Sequence, residues 1–357
     1  MRLVRKETKW RIPARLIFTI VFGACALIQF WSWRRIHSQH HDHSANDKNT
    51  AVESNSVQTQ QKSLTTPVKG FRKGTNGSRI TYYSHTRGDR AGSALLDMIM
   101  AHAYAFHQNA HYGGACGTVD YPTLPHQRLL LQTLGLTHVL PFACPPEKGD
   151  NHSYRILEFA EYEQQSKNTF TPAWLQFIRK QRTMTPKDSS TANDKAMIHI
   201  AVHVRRGDVT FCSPKVKRYL PNRYYLDLIE QYAPNTTTLP VHVTVYSNAE
   251  NPNAHNAHEP RESWTDFTDK GYQVVLGSPL DEVWLAMVSA DVLIMSKSGF
   301  SHVPAIFNDH GQVIYTPYWS EPVPGWIVVP KKKVQKAQLE IRKLQKQYCD
   351  NHLDHAK

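Results

Sequence analysis

The feature that most restricts the fold of this chain is a regular alternation of strand-like and helix-like segments in its second half. Short apolar runs such as "MIHIAVHV", "PVHVTVYS", "YQVVL", "DVLIMS" and "QVIYT" alternate with segments of helical periodicity, including "NRYYLDLIEQYA" and "DEVWLAMVSA". Buried strands separated by helices form a parallel sheet that helices cover on both faces. We therefore predict a doubly wound α/β domain over residues 191–330, followed by a basic closing helix over residues 331–357.

The first half shows a weaker form of the same alternation. The run "ITYY" precedes the loop "SHTRGDRAG" and the helix-like segment "SALLDMIMAHAYAFHQNA", which together make half of a β-α-β unit. The polar segment "RTMTPKDSSTANDK" predicts an interdomain linker. We therefore predict an N-terminal Rossmann-like domain over residues 71–190, which faces the second domain across a cleft.

An apolar segment near the amino terminus predicts a membrane anchor. The run "LIFTIVFGACALIQFWSW" holds 18 uncharged residues and is long enough to span a thin bilayer. Basic residues before it place the amino terminus in the cytosol, which predicts a cytosolic tail (residues 1–15), a transmembrane anchor (16–33) and a disordered stem (34–70). This is a single-pass type II topology in the Golgi or endoplasmic reticulum. The alternative is a cleaved signal peptide, because "ACA" resembles a cleavage site.

Cysteines and glycosylation motifs agree with a lumenal body. Four cysteines follow the apolar segment and allow up to two disulfides in three pairings, the alternative being four reduced thiols. They are Cys116, Cys144, Cys212 and Cys349. Three Asn-x-Ser/Thr motifs predict N-glycosylation at Asn76, Asn151 and Asn235.

The net charge of +12 does not favour a nucleic-acid-binding protein. Residues 1–35 carry a net +7, which belongs to the segments that flank the predicted anchor, and the remaining chain carries +5. We therefore predict a membrane-anchored protein without a nucleic-acid partner.

The stretch "HVRRGD" predicts a phosphate site at the end of a buried strand. In parallel sheets ligands bind outside the carboxyl ends of the strands, where Arg205 and Arg206 lie. A guanidinium matches phosphate oxygens and keeps its charge, which suits the stabilisation of a departing diphosphate. Gly207 lets the chain turn, and Asp208 is placed to orient one arginine. The alternative is a surface salt-bridge cluster.

A second phosphate-binding element is predicted in "DVLIMSKSGFS". Here a strand runs into a Ser/Gly turn and an apolar helix, whose first N–H groups bind anions. The predicted cradle comprises Ser296, Ser298, Gly299, Phe300 and Ser301. The alternative is ordinary capping of the helix by Ser298.

The stretch "VHVRRGD" resembles the His-x-Arg-Arg-x-Asp signature of the α1,2-/α1,6-/protein O-fucosyltransferase group. The similarity covers Met197 to Trp319 and includes the turn "MSKSGFS". In the first half "RAGSALLD" is similar to the group's Arg-x-Gly-Asn-Gln loop, with Ser93-Ala94 in place of Asn-Gln. The resemblance implies a GT-B fold of two Rossmann-like domains, GDP-fucose as the donor and inversion at the anomeric carbon.

The resemblance also implies roles for individual residues. Arg205 matches the arginine that holds the β-phosphate of GDP, and His203 matches the motif histidine near the nucleotide. Arg206 and Asp208 shape the motif, while Ser298, Gly299 and Phe300 match the phosphate-binding turn. For His203 the alternative is a histidine satisfied within its strand.

Guanine presents N–H donors, so a carboxylate is its natural partner. Asp281 is the first candidate because it opens the helix before the phosphate turn, with Glu282 and Glu250 as alternatives. A helix-terminal charge without a ligand is an equal alternative for each of these acids.

The predicted chemistry needs no metal. The chain contains no Asp-x-Asp motif, so Arg205 and Arg206 are predicted to take the catalytic cation role. A general base is expected from the N-terminal domain, with Asp89 and Asp97 as candidates, although exposed-loop and helix-surface roles are alternatives.

These observations predict an enzyme of the secretory pathway that transfers fucose from GDP-fucose to a glycan or glycoprotein acceptor. One alternative is a GT-B transferase for another nucleotide sugar, because arginine and a helix terminus recognise diphosphate rather than sugar. Another is a non-catalytic lumenal carbohydrate-binding relative.

Overall fold

A computed structural model describes the body of the chain in segments. They are residues 80–88, 90–117, 124–146, 153–163, 169–183, 197–233, 239–248, 262–318 and 321–350. The predicted tail, anchor and stem lie outside these residues, as do the three glycosylation motifs and the candidates Asp89 and Glu250. No helix within the described segments has the length and apolarity needed to cross a bilayer.

The first half forms a parallel sheet of three strands in the order β2-β1-β3. The strands are β1 (Thr81–His85), β2 (His111–Cys116) and β3 (Tyr154–Leu157). The helices that follow them are α1 (Ala91–His107), α2 (Leu124–Thr133), α3 (Phe159–Glu163) and α4 (Pro172–Lys180). Because β1 is central and both neighbours run parallel to it, the predicted β-α-β unit is confirmed.

The second half forms a parallel sheet of six strands in the order β6-β5-β4-β7-β8-β9. The strands are β4 (Ile198–His203), β5 (Val241–Ser247), β6 (Gln273–Leu276), β7 (Val292–Ile294), β8 (Gln312–Tyr315) and β9 (Ile327–Val328). The chain winds outward from β4 to one edge and then from β7 to the other. This is the order of a doubly wound sheet, which confirms the prediction and places the ligand crevice between β4 and β7.

Helices pack on the second sheet and close the chain. They are α5 (Asn222–Tyr232), the short α6 (Thr265–Thr268), α7 (Leu280–Val288), α8 (Gly299–Phe307) and α9 (Lys331–Gln345), and a π-helical turn follows at Lys346–Asp350. The predicted basic closing helix is therefore present as α9. Its side chains Val334, Ala337 and Ile341 are buried against the body.

The two halves share one hydrophobic core around α1. This helix is buried on almost every side, with Leu95, Leu96 and Ile99 inaccessible to solvent. Its neighbours in the same cluster include Trp284 of α7 and Phe307 of α8, which belong to the second half. A helix that is apolar all round must be covered all round. The two halves are therefore joined by apolar packing around α1.

A close approach between α1 and α8 depends on two glycines. A Cβ placed on Gly92 would lie 2.6 Å from the Cα of Phe300 and 2.7 Å from its backbone nitrogen. A Cβ on Gly299 would lie 3.3 Å from the carbonyl carbon and oxygen of Gly92. Only glycine permits this contact at position 92, and the contact brings the amino termini of both helices together.

Two disulfides fasten loops to this frame. Cys116 at the end of β2 is bonded to Cys144, and Cys212 in the loop after β4 is bonded to Cys349 after α9. The structure thereby confirms the prediction of two bridges and selects one of the three possible pairings.

We expect Gly92→Ala to lower the free energy of unfolding by about 1–3 kcal/mol. The added methyl group would collide with backbone atoms of Phe300, which cannot move away as a side chain could. Thermal denaturation would show a lower midpoint. Ser93→Ala is the matched control, since it only shortens the next side chain of the same helix. Equal midpoints for Gly92→Ala and the control would contradict a tight approach of α1 to α8.

Candidate functional site

The structure brings the two predicted phosphate-binding segments together at the crevice between β4 and β7. Val202 of β4 pairs with Ile294 of β7, so the chain leaves both strands at the same edge. Arg205 follows β4, and Ser298 follows β7. The Nη1 of Arg205 donates a hydrogen bond of 3.2 Å to the Oγ of Ser298. One guanidinium therefore links the two segments.

Arg205 is a buried cation with spare hydrogen-bonding capacity. Only 8% of the residue is exposed, and its Nη2 donates to the carboxylate of Asp208 at 3.1 Å. Its Nε is buried without a hydrogen-bond partner among the residues that the structure describes. A buried donor of this kind loses the free energy of its hydrogen bond to water unless an acceptor replaces it. The arrangement therefore points to an anionic ligand.

Asp208 collects three cations around the crevice. Besides Arg205, its carboxylate accepts from the Nη1 of Arg90 at 2.9 Å and from the Nζ of Lys215 at 3.3 Å. Burial by itself would raise the pKa of Asp208, but the charge and hydrogen bond of Arg205, with those of Arg90 and Lys215, hold that pKa below its usual range. One carboxylate faces three cations, so the cluster keeps an excess of positive charge.

Arg90 is a site residue that sequence analysis missed. It occupies the position before α1, and its side chain crosses from the first half to Asp208 in the second. Burial lowers the pKa of Arg90, an effect that the charge of Asp208 offsets in part. The available signal was the loop "RAGSALLD", in which Arg90 and Gly92 match two positions of the Arg-x-Gly-Asn-Gln pattern.

The turn between β7 and α8 has the predicted capping geometry. Ser298 accepts a hydrogen bond of 3.2 Å from the N–H of Phe300, so ordinary capping is present. The same Oγ also accepts from Arg205, and thus the cap and the arginine are coupled. The Oγ of Ser301 donates to the carbonyl oxygen of Ser298 at 3.4 Å. Because α1 begins beside Gly299, two helix amino termini meet at this turn and favour an anion.

His203 is a buried neutral ring that lies beside this turn. Its Nδ1 and the Oγ of Ser296 are 2.8 Å apart, and its ring lies 5.4 Å from that of Phe300. Burial, with a smaller contribution from the charge of Arg205, lowers the pKa of His203 to about 3. It is therefore a satisfied histidine of the strand that also forms one wall of a cavity.

This cavity has a volume of about 250 Å³ and opens at the carboxyl ends of β4, β5 and β6. Its walls include His203, Tyr246, Ser247, Asn248, Leu280 and Phe300. The Oγ of Ser247 is buried and has no hydrogen-bond partner within the described segments. Asp281 and Glu282 lie in the first turn of α7, directly after Leu280, and neither is a wall residue. The role of Asp281 toward guanine stays a prediction.

Arg206 has a different environment from Arg205. Its Nη2 donates to Glu262 at 2.9 Å and to Asn222 at 2.7 Å, and its guanidinium lies 3.9 Å from the centre of the Tyr219 ring. Its Nη1 donates to the backbone oxygen of Arg205 at 3.0 Å. We predicted a catalytic role for Arg206, but this network occupies its guanidinium, so the geometry supports a positioning role for the Arg205 backbone.

Glu262 completes that network and was missed by sequence analysis. It accepts from the hydroxyl of Tyr219 at 2.9 Å and from the backbone N–H of Asn222 at 3.0 Å, in addition to Arg206. Burial raises the pKa of Glu262, although the charge of Arg206 opposes the shift. No sequence motif joins positions 206 and 262, because only the fold brings them together.

Asp97 does not fit the predicted role of general base. It is 2% exposed and its Oδ2 lies 2.6 Å from the Nη1 of Arg87, which neutralises it inside the first half. A base needs access to the acceptor hydroxyl. The second candidate, Asp89, lies outside the described residues.

Lys297 is a further buried cation of the turn. Its Nζ donates to the backbone oxygen of Lys217 at 3.2 Å, and burial lowers the pKa of Lys297 to about 8. The lysine thereby connects the turn after β7 to the loop that carries Lys215. Within the described segments no group of three or more His, Cys, Asp or Glu side chains is placed to hold a metal ion.

Comparisons with known proteins find solved structures only. No protein-family model and no curated protein sequence matches this chain. One similar structure is the glycosyltransferase TibC of enterotoxigenic Escherichia coli H10407, at 11% identity and a TM-score of 0.39, with 70% of this chain and 62% of TibC covered. The chain therefore spans less than two thirds of the length of TibC.

Two further similar structures belong to bacterial enzymes. The ADP-heptose lipopolysaccharide heptosyltransferase II of E. coli is 11% identical, with 75% of this chain and 99% of the enzyme covered and a TM-score of 0.33. The fucosyltransferase NodZ of Bradyrhizobium is 9% identical, with 64% and 91% covered and a TM-score of 0.34. At these values the comparisons assign the chain to no family.

Arg206→Ala is expected to lower the free energy of unfolding by about 3 kcal/mol, because it removes a buried cation and leaves the partly buried Glu262 without its ion-pair partner. Urea denaturation measures this loss. The control is Arg223→Ala, which breaks an exposed ion pair with Asp227 and should cost less than about 1 kcal/mol. If the two variants unfold at the same urea concentration, the network of Arg206 and Glu262 does not stabilise the segment that follows β4.

Stability should fall as the pH is lowered from 7 toward 4. The pKa of His102 is lowered to about 4, and those of His203 and His302 to about 3, in each case chiefly by burial. The unfolded chain takes up these protons near pH 6.5 and the folded chain does not, so stability is fully present above that pH. At pH 5 each of these three histidines lowers the free energy of unfolding by about 2 kcal/mol.

The pH dependence can be tested by urea denaturation at pH 7 and pH 5. His203→Asn keeps a polar side chain but removes one titrating ring, so the loss of stability between the two pH values should shrink by about one third. An unchanged pH dependence in this variant would show that His203 titrates normally in the folded state.

Proposed function

We propose that this chain is a GT-B glycosyltransferase that transfers fucose, with inversion, from GDP-fucose to a glycan or glycoprotein acceptor. The single observation that carries the proposal is the position of Arg205. Its buried guanidinium, with an unpaired Nε, lies at the switch point of a doubly wound sheet, beside the amino termini of two helices.

The charge distribution supports a diphosphate at this point. Arg90, Arg205 and Lys215 share one carboxylate, Asp208, so an anion between them gains more attraction than repulsion. The helix amino termini at Ala91 and Gly299 add partial positive charge from a different direction. Fixed charges of this kind stabilise a diphosphate as it leaves with the electron pair of the broken bond.

The adjoining cavity supports a nucleotide as the rest of the leaving group. It touches the phosphate turn through Phe300, and the hydroxyl of Ser247 and the side chain of Asn248 offer polar contacts. Its volume of about 250 Å³ suits a flat ring and part of a ribose better than a whole disaccharide. The choice of GDP and of fucose rests on the resemblance of "HVRRGD" to the fucosyltransferase signature, with Asp281 as the proposed guanine partner.

In the proposed reaction an acceptor hydroxyl attacks the anomeric carbon of the donor. The bond from that carbon to the diphosphate oxygen breaks, and GDP leaves toward Arg205 and Arg90. The acceptor proton passes to a base. Among the described residues at this edge of the first sheet, His85 fits that role, because it ends β1, is exposed and has its Nε2 3.6 Å from Glu158.

The location of the reaction is part of the proposal. The proposed type II anchor holds the body in the lumen of the Golgi or endoplasmic reticulum. The proposed reaction needs no metal ion, because arginine side chains supply the cationic charge. Two disulfides suit an oxidising compartment. Removal of divalent ions by a chelator should accordingly leave transfer unchanged.

Isothermal titration of the purified full chain with GDP, GDP-fucose and UDP-sugars tests the proposal. We expect GDP to bind, and Arg205→Ala to weaken that binding by roughly 100-fold through the loss of a buried charge-assisted contact. Arg205→Lys should bind with intermediate affinity, because lysine keeps the positive charge but lacks the parallel N–H donors of the guanidinium. The matched control is Arg223→Ala, which removes an exposed arginine that pairs with Asp227.

Three outcomes distinguish the alternatives. Binding and turnover of another nucleotide sugar, with GDP-fucose inert, would retain the transferase and remove the fucose assignment. GDP binding without transfer to any glycan acceptor would favour a non-catalytic relative. Equal GDP binding by the parent chain and Arg205→Ala would remove the site itself from the proposal.

A further inference from the structure

The positive charge of the protein body is concentrated in one helix. Residues 331–346 hold seven Lys or Arg and one Glu, a net +6, whereas the whole of residues 36–357 carries a net +5. The remainder of the body is therefore slightly acidic. The donor site described above uses none of these seven side chains.

The cations of α9 lie on one face of the helix. Val334, Ala337 and Ile341 face the body and are buried. At about 100° per residue, the opposite face is centred on Leu339, which is 56% exposed. Six exposed cations surround Leu339 and define the α9 basic face: Lys331, Lys332, Lys336, Arg342, Lys343 and Lys346. Glu340 lies at its margin, and no ion pair within the described segments neutralises these cations.

Helix α9 contacts the loop that leads to the donor site. The Nε2 of Gln338 donates a hydrogen bond of 3.1 Å to the backbone oxygen of Lys217, in the loop that follows β4. The Cys212–Cys349 disulfide joins this loop to the segment after α9. This loop carries Lys215, whose Nζ is 3.3 Å from Asp208. The loop that contacts α9 therefore itself supplies a cation, Lys215, to the crevice that holds Arg205.

We propose that the α9 basic face binds a linear polyanionic glycan, with sulfate or carboxylate groups along its length, whose end reaches the donor crevice. From residue 331 to residue 346 the helix extends about 22 Å, which matches several successive sugar units of an extended chain. Naming this glycan as the acceptor rests on the proposed transferase function. The binding surface itself rests on the charge pattern of α9 alone.

The same face suits a membrane surface less well. A helix that lies in a bilayer interface inserts large apolar side chains, such as Trp, Phe or Leu. The apolar side of α9 is already buried against its own protein, and Leu339 is the one large apolar side chain of the helix that is strongly exposed. Nucleic acid is also less well matched, because single strands are held by stacking on aromatic side chains and α9 contains none.

The test compares two triple variants of the full chain that change the net charge equally. One is Lys332→Glu, Lys336→Glu and Lys343→Glu on the α9 basic face; the other is Lys180→Glu, Arg223→Glu and Lys270→Glu elsewhere on the surface. All six residues are exposed. Heparin, a linear sulfated glycan, is the probe, and its affinity is measured by titration at several NaCl concentrations.

We expect the α9 variant to lose at least tenfold in heparin affinity, with a salt slope that is shallower by about two to three, because three fewer anionic groups are neutralised. The control variant should change by less than about threefold. An equal loss in both variants would overturn the proposal, since net charge alone would then explain binding. Tighter binding to phosphatidylserine vesicles or to a 20-nucleotide RNA than to heparin would also overturn it.

Two further measurements keep the outcome unambiguous. The triple variant Lys332→Gln, Lys336→Gln and Lys343→Gln should also bind heparin more weakly, without introducing charge repulsion, which separates lost contacts from misfolding. Titration with GDP should give the parent affinity for both triple variants. Absence of GDP binding in the parent chain would refute the proposed transferase while leaving the heparin result to decide the surface.

Discussion

The buried guanidinium of Arg205, at the switch point between β4 and β7, is the group on which the arrangement of the surrounding residues depends. The guanidinium of Arg205 carries N–H donors and no acceptor, so each donor needs an acceptor in a place that water reaches poorly. Ser298 and Asp208 meet part of that need, and Arg206 holds the Arg205 backbone through a second buried network with Glu262. The remaining donor, the Nε of Arg205, has no acceptor among the described residues.

The shared core around α1 sets the distance between the two halves of the chain. Because Gly92 lies against the backbone of Phe300, the amino terminus of α1 and that of α8 meet at the crevice. The same contact carries Arg90 across to Asp208. The packing of apolar helices therefore also determines which charged side chains meet at the crevice.

Much of the second half could be predicted because its signals are local. Alternating apolar runs specify buried strands, and a strand that ends in Arg205 or Ser296 delivers those residues to the carboxyl edge of the sheet. The environment of Asp97 could not be predicted, because its sequence position shows a polar residue in a helix but not its burial or its ion pair with Arg87. No motif indicated the role of Glu262, whose partners Tyr219, Asn222 and Arg206 are 40 or more residues away, and Arg90 was indicated only by the similarity of its loop to the Arg-x-Gly-Asn-Gln pattern.

By itself, the sequence determined the α/β alternation, the place of the two predicted phosphate-binding segments at strand ends, and the presence of a basic closing helix. These follow from periodicity and short-range chemistry, which neighbouring residues encode. Tertiary structure alone decided which cysteines pair, that Arg205 and Arg206 have different tasks, and that α1 joins the halves through one core. Those features depend on contacts between residues distant in the chain, and the free energy of such contacts is defined only once the packing is complete.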